Sequence, residues 1–129
     1  GDVFFSMCGK SVEVDNTDAE GRLILADALT FAQKDRPEYL IDAATLTGAM
    51  CVALGDVYGG FFTNDEHLAS TIQTASTRTN DLLWRMPLSP FYREALKSQV
   101  ADINNMGGRE GGSAKAAEFL HAFVDSGVK

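Results

Sequence analysis

The sequence predicts an α/β fold in which a mainly parallel sheet is flanked by helices. Short β-rich runs alternate with stretches of helical periodicity along the 129 residues, an order typical of layered α/β proteins. The clearest helical stretch has Leu23, Ala26 and Leu29 on one face. A hydrophobic fraction of 45% and a charged fraction of 22% are ordinary for a globular chain and exclude the disordered class. The length alone favours one domain with a core of its own.

The first elements form a hairpin followed by a long helix. Val3–Met7 and Ser11–Val14 are β-rich runs, and Gly9 lies in the tight turn between them. A helix is predicted from Ala19 to about Lys34, and Pro37 ends it.

Strands and helices continue to alternate in the rest of the chain. The predicted elements are a strand at Tyr39–Ala43, a helix at Ala49–Leu54, a strand at Val57–Thr63, a helix from Asn64 or Asp65 to about Ser76, an extended segment at Trp84–Leu88, a helix at Phe91–Ser98, a loop at Asp102–Ser113 and a helix at Ala114–Val124. The Gly-rich part of that loop lacks the Lys-Ser/Thr pair of a phosphate-binding loop, so a flexible connection is expected.

Charge and composition exclude several classes of function. The chain carries 11 basic and 18 acidic residues, a net charge of −7, which disfavours binding to nucleic acids or anionic membranes. No apolar run approaches the roughly 20 residues that a membrane helix needs, and no basic region marks a signal peptide. Two cysteines, Cys8 and Cys51, make no disulfide framework. We expect them to be reduced, buried thiols of a cytoplasmic protein.

The most informative segment is the turn that leads into the first long helix. Asp18 and Glu20 are two residues apart, and Arg22 follows. Carboxylates at this position can bind a divalent cation, while a guanidinium and free helix amides can hold an anion beside it. This combination suits metal-assisted hydrolysis. The alternative is structural, because Thr17 and Glu20 also match a capping box.

A second candidate is the segment Ala43–Ala49. It follows a predicted buried strand, and ligands of α/β proteins bind at the carboxyl ends of strands. Its small residues and Gly48 would let a substrate backbone approach closely. A tight turn between strand and helix explains the same pattern equally well.

Four ordered motifs resemble the leucyl aminopeptidase family, the two-metal cytosolic aminopeptidases of the M17 type. The resemblance covers nearly the whole chain. The matching segments are Asn16–Leu23, Ile41–Ala49, Trp84–Leu88 and Ala101–Asn105.

The resemblance implies metal and anion ligands. Asp18 would bind one of two divalent metal ions, Zn²⁺ or Mn²⁺, and Glu20 would bridge both. Arg22 would hold a bicarbonate-like anion that acts as the general base for the attacking water. The backbone amides that would cradle this anion belong to Ala19, Gly21 and Leu46.

The resemblance also implies a substrate and an assembly. Leu46 and Gly48 would hydrogen-bond the main chain of a peptide, and Thr45 and Gly48 would line the pocket for its first side chain. Leu and other apolar N-terminal residues would be favoured. The parent protein would form a homohexamer in the cytoplasm.

The sequence departs from the family pattern at both ends. The family's upstream segment of Lys and Asp ligands, its N-terminal domain and its final pocket-forming strand have no counterpart in residues 1–129. We expect these residues to be part of the catalytic domain and to be inactive alone, because two carboxylates are too few ligands for two metals. The alternative is a non-catalytic fragment or subunit piece with an assembly or binding role.

Overall fold

A computed structural model describes all residues from 1 to 129. Its strands are β1 (Asp2–Phe5), β2 (Ser11–Val14), β3 (Gly59–Phe61), β4 (Leu83–Arg85) and β5 (Ile103–Asn104). Its helices are α1 (Glu20–Ala32), α2 (Ala49–Leu54), α3 (Glu66–Thr79), α4 (Pro90–Glu94) and α5 (Gly112–His121), and a 3₁₀ turn at Gln33–Asp35 extends α1. None of these helices has both the length and the hydropathy needed to cross a membrane.

The strands form two small sheets, and two of the three strand pairings are parallel. One sheet has the order β1-β2-β5, with β1 antiparallel and β5 parallel to β2. The other pairs β3 with β4 in parallel, across the connection made by α3. The predicted α/β class with mainly parallel pairing is therefore confirmed, and the sheet is split because each parallel pairing is short.

Local sequence explains the limits of the hairpin and of α1. Gly9 has a φ of +87° in the β1–β2 turn, a conformation that favours glycine. The helical region around α1 ends at Arg36, which adopts a left-handed φ of 50°, because Pro37 disfavours the right-handed helical conformation in the residue before it. The buried Gln33 amide donates to the carbonyls of Leu29 and Phe123, both at 2.9 Å, and so fixes this end of α1 to the chain after α5.

The core lies where α1 and α5 cover the three-stranded sheet. The aromatic rings of Phe119 and Phe123 lie 5.1 Å apart at its centre. The buried apolar residues of the core cluster are Val12, Ala26, Leu29, Leu96, Ile103, Phe119, Leu120 and Phe123. Because β2, β5 and α1 all contribute to this cluster, it fixes the start of α1 relative to the end of β5.

Three expectations from the sequence are wrong. Tyr39–Ala43 is not a strand: within it only the Leu40 amide bonds to backbone, donating to the Lys129 carbonyl at 2.7 Å, and a strand exists only when a neighbour pairs with it. Cys8 and Cys51 are exposed rather than buried. The loop predicted at Asp102–Ser113 contains β5 (Ile103–Asn104), because these two residues pair in parallel with β2.

Candidate metal and anion site

The turn before α1 is held by asparagine side chains. Asn105, which is fully buried, accepts hydrogen bonds at Oδ1 from the amides of Asp15 at 2.9 Å and Asn16 at 3.1 Å. Its Nδ2 donates to the Asn16 carbonyl at 2.7 Å. Asn16 Oδ1 in turn accepts from the Asp18 amide at 2.8 Å. The turn that carries Asp18 is thus fixed to the chain directly after β5.

The capping box expected at the start of α1 does not form. The helix begins with Ala19 at its N-cap, without a side-chain cap, because the asparagine bonds to the turn set a different entry to the helix. Thr17 and Glu20 are both exposed. The Glu20 carboxylate makes neither a cap nor an ion pair, so it is free to bind a ligand.

The two predicted metal ligands lie together at the surface. Asp18 and Glu20 are both exposed, and neither forms an ion pair. Carboxylate oxygens suit a divalent cation, so the donor chemistry of both residues fits. The chain contains no group of three or more His, Cys, Asp or Glu side chains placed to hold one metal ion. The two carboxylates by themselves therefore do not make a complete metal site.

Arg22 follows Glu20 by two residues in α1 and is buried. Only 6% of its surface is exposed, and burial lowers the pKa of its guanidinium, which still remains charged. Nη1 donates to the Asn105 carbonyl at 2.9 Å, whereas the buried Nε has no hydrogen-bond partner. A buried guanidinium with a free donor suits an anionic ligand, because leaving that donor unpaired is unfavourable.

The backbone amides at the start of α1 include two of those predicted to bind the anion, Ala19 and Gly21. The Ala19 amide donates to the Asn16 carbonyl at 3.3 Å, a long bond. The first-turn amides of α1, including that of Gly21, lack a side-chain cap and have no partner one turn back in the helix. A Cβ placed on Gly21 would meet nothing within 4 Å, so the backbone here is open to a ligand.

The second predicted segment lies before α2. Thr45 and Gly48 are exposed, and Leu46 packs against the core cluster. Thr47 Oγ1 accepts a hydrogen bond from the Ala49 amide at 3.2 Å. Thr47 and Arg22 line one open cleft of about 940 Å³, so the fold brings the two segments singled out in the sequence to the same cleft.

Asn105 is the functional residue that sequence reasoning missed. It lay inside a recognised motif, yet no role was assigned to it. Its partners Asp15 and Asn16 are about 90 positions away in the chain, so no local pattern could reveal them. A pair of asparagines directly after a short β-run was the one available signal.

Comparison with known proteins agrees with the fold. The model of the cytosol aminopeptidase family, catalytic domain, matches residues 1–129. A cytosol aminopeptidase of Encephalitozoon cuniculi is 55% identical over 100% of this chain and 27% of its own length. A protein of Prochlorococcus marinus subsp. pastoris named "Probable cytosol aminopeptidase" is 52% identical over 100% of this chain and 26% of its own.

Solved structures of similar proteins superpose closely on this chain. A lysine-to-glutamate mutant of tomato leucine aminopeptidase superposes with a TM-score of 0.96 at 48% identity, over 99% of this chain and 25% of that one. The bottromycin maturation enzyme BotP has a TM-score of 0.95 at 43% identity, over 99% and 28%. The chain thus spans about a quarter of the length of its relatives. It belongs to the cytosol aminopeptidase family, and its whole length matches that family's catalytic domain.

Proposed function

We propose that the natural protein carrying this chain is a metal-dependent aminopeptidase that releases N-terminal residues from peptides, with Leu and other apolar residues preferred. One juxtaposition carries the proposal. The exposed carboxylates of Asp18 and Glu20 lie at the start of α1, four and two residues before the buried Arg22 with its unpartnered Nε. One short segment therefore carries both the proposed cation ligands and the proposed anion ligand. The names of the relatives support the same reaction.

Asp18 and Glu20 are the proposed metal ligands of this chain. Asp18 would hold one divalent ion and Glu20 would bridge two, Zn²⁺ or Mn²⁺, with the remaining ligands supplied from outside these 129 residues. Such ions supply Lewis acidity and make a bound water more acidic. The chain contributes a rigid support for them, because Asn105 and Asn16 fix the turn by four hydrogen bonds.

Arg22 is the proposed holder of a bicarbonate-like anion. The Asn105 carbonyl accepts one N–H of Nη1, so the remaining guanidinium N–H groups, Nε–H among them, are left for the anion. The backbone amides of Ala19, Gly21 and Leu46 are proposed to donate hydrogen bonds to the same anion. A bicarbonate-like anion in this position would supply a proton acceptor for the attacking water.

The segment before α2 is the proposed peptide-binding edge. Leu46 and Gly48 would pair with the substrate main chain, and Thr45 and Gly48 would line the pocket for its first side chain. No atom lies within 4 Å of a Cβ built on Gly48, which leaves room for a substrate backbone. Leu46 is anchored in the core, so this edge is held in place.

The proposal is tested by near-isosteric exchange of the two carboxylates in the complete natural protein. Asp18→Asn and Glu20→Gln should each lower turnover of a leucyl peptide by more than about 100-fold, the loss that even outer partners of metal ligands cause. Bound metal should fall in parallel. Asp56→Asn and Glu38→Gln are matched controls, because both residues are exposed and form no ion pair. Full activity and metal content in both ligand variants would refute the proposal.

A non-catalytic role in assembly is the second candidate. The observation that favours it is the number of large apolar side chains at the surface, with Val52 91%, Phe91 86% and Phe5 76% exposed. In the enzymatic proposal such surfaces would be covered in a cytoplasmic homohexamer. Replacing Phe5 and Phe91 by Ser and measuring oligomer mass together with peptidase activity separates the two roles.

A further inference from the structure

The cleft beside Arg22 has features that the proposed mechanism does not use. Arg22 and Thr47 lie on one side of it, and the loop after β5 and the first turn of α5 lie on the other. The loop begins one residue after Asn105, which holds the proposed metal-binding turn. The cleft of about 940 Å³ therefore shares Arg22 with the proposed site.

The charged groups of this cleft are mostly cationic. Arg22, Arg109 and Lys115 line it, with Glu110 as the acidic side chain among its lining residues. None of the three cations forms an ion pair, although the chain as a whole has a net charge of −7. Local charge opposite to the net charge indicates a surface that attracts an anion.

The N-terminus of α5 adds free donors to the same cleft. This ten-residue helix has Gly111 at its N-cap, at a φ of 61°, and no side-chain cap. Its first-turn amides therefore have no partner within the helix and carry the positive end of its dipole. Glycine is favoured at both positions, because a Cβ on Gly111 would lie 3.1 Å from the Tyr92 ring and one on Gly112 would lie 3.1 Å from Ala49 Cβ. The two glycines thus let α2 and α4 approach this end of the helix closely.

Lys115 is held with its ammonium at the cleft. Its Nζ donates to the Gly107 carbonyl, which uses one of three donor hydrogens. A Cβ on Gly107 would lie 3.0 Å from Lys115 Cδ, so glycine at 107 leaves room for the lysine stem. At the inner end, the unpartnered Nε of Arg22 belongs to a side chain that is only 6% exposed. The cleft thus presents anion donors along its length.

We propose that this cleft binds the leaving side of the peptide and recognises a carboxylate on it, through Lys115, Arg109 and the first-turn amides of α5. The proposal rests on the aminopeptidase function proposed above. A peptide whose scissile bond lies at Asp18 and Glu20 and whose first residue lies against Leu46 and Gly48 extends past Thr47 into this cleft. The carboxylate is either the C-terminus of a short peptide or an acidic side chain, since both offer the same two oxygens.

Peptide pairs that differ only in the carboxylate distinguish these sources in the complete natural protein. Leu-Leu should show a KM about tenfold lower than Leu-Leu-amide, with kcat within about twofold, since a hydrogen bond to a charged group contributes at least that much. Leu-Glu-amide compared with Leu-Gln-amide tests the side-chain source in the same way. A preference in either pair supports the proposal, and equal KM values within both pairs overturn it.

Substitutions assign the preference to the cleft. Lys115→Met should raise KM for the favoured carboxylate about tenfold and leave KM for its amide unchanged. Arg109→Gln should act in the same direction, and because Arg109 is exposed and unpaired, it tests the proposal even if the Lys115 variant folds poorly. Lys34→Met, which removes the same charge at the far end of α1, should change neither value. Equal increases for acid and amide would overturn the assignment.

Equilibrium binding separates this proposal from the proposed enzyme activity. N-acetyl-leucine and its amide cannot be cleaved as aminopeptidase substrates, and calorimetric titration of both into wild type and Lys115→Met separates binding in the cleft from binding of the carboxylate to metal ions. We expect the acid to bind about tenfold more tightly and to lose that advantage in Lys115→Met. Binding without peptide cleavage would reject the aminopeptidase and keep the anion cleft. Cleavage without any preference for a carboxylate in either assay would support the aminopeptidase and reject the anion cleft.

Discussion

Replacing Asn105 by Ala should loosen the turn that carries Asp18 without disrupting the core. The substitution removes three side-chain hydrogen bonds, to the amides of Asp15 and Asn16 and to the Asn16 carbonyl. Each contributes about 1 kcal/mol, so the turn should open about 3 kcal/mol more easily. The Arg22 bond should persist, because it goes to the backbone carbonyl of Asn105.

Amide hydrogen exchange measured on the natural protein reports this local opening directly. A change of about 3 kcal/mol corresponds to exchange about a hundredfold faster in peptides that contain the amides of Asp15 and Asn16. Peptides from the core part of α5 should be unchanged. Asn64→Ala is the matched control, because it removes one exposed hydrogen bond, from Asn64 Nδ2 to the Val128 carbonyl at 2.8 Å.

A second variant identifies which bonds matter. Asn105→Asp keeps the oxygen that accepts from the two amides but cannot donate to the Asn16 carbonyl when ionised. We expect exchange between those of wild type and Asn105→Ala at the two amides. If Asn105→Ala exchanges no faster than wild type in this turn, then these hydrogen bonds do not hold it, and the role given to Asn105 is refuted.

Two further predictions concern stability. Phe119→Ala, which empties a fully buried position, should lower the free energy of unfolding by about 3–5 kcal/mol. Glu38→Ala, at an exposed position that forms no ion pair, should change it by less than about 0.5 kcal/mol. Equal urea midpoints for the two variants would contradict the described core. Hydrogen bonds from the Ser11 amide and hydroxyl hold the pKa of Asp102 below its ordinary value of 3.8. The ionised Asp102 carboxylate therefore stabilises the folded state above pH 3.8, and this stabilisation is lost as the pH falls through the lowered pKa. Asp102→Ala should therefore lower the thermal midpoint near neutral pH but not in strong acid, and a difference that persists unchanged in acid would contradict this interpretation.

The sequence predicted what depends on local spacing and missed what depends on distant contacts. The helix at Ala19–Lys34 was predicted within about two residues at each end, because its apolar face and Pro37 are local signals. The proposed metal ligands, Asp18 and Glu20, were identified from the local sequence of a single turn. The strand expected at Tyr39–Ala43 does not form, because a strand needs a neighbouring strand to pair with and the pattern of one segment does not show whether that neighbour exists.

The same distinction explains the capping box. Thr17 and Glu20 have the right spacing, and locally nothing argues against the motif. The bonds from Asn105, which follows the neighbouring parallel strand β5, fix a different helix entry. A tertiary contact therefore overrides a local preference and leaves the Glu20 carboxylate uncommitted. We interpret this as the reason that Glu20, which matches a capping motif in the sequence, is a candidate metal ligand in the fold.

The two buried charges of the chain support the functional assignment of Arg22 when they are compared. Glu118 is 2% exposed; its carboxylate accepts a hydrogen bond from Arg93 Nε at 3.0 Å and forms an ion pair with Arg93 Nη2 at 3.0 Å. Its burial is thus compensated by a partner within the chain, as a structural charge requires. Arg22 is nearly as buried, yet it has one backbone carbonyl as a partner and an Nε with none. A stability role alone would favour an apolar side chain at that position. The guanidinium is therefore best explained by an anion that comes from outside the chain, and exchange of Arg22 for Met should remove that anion's binding while the fold persists.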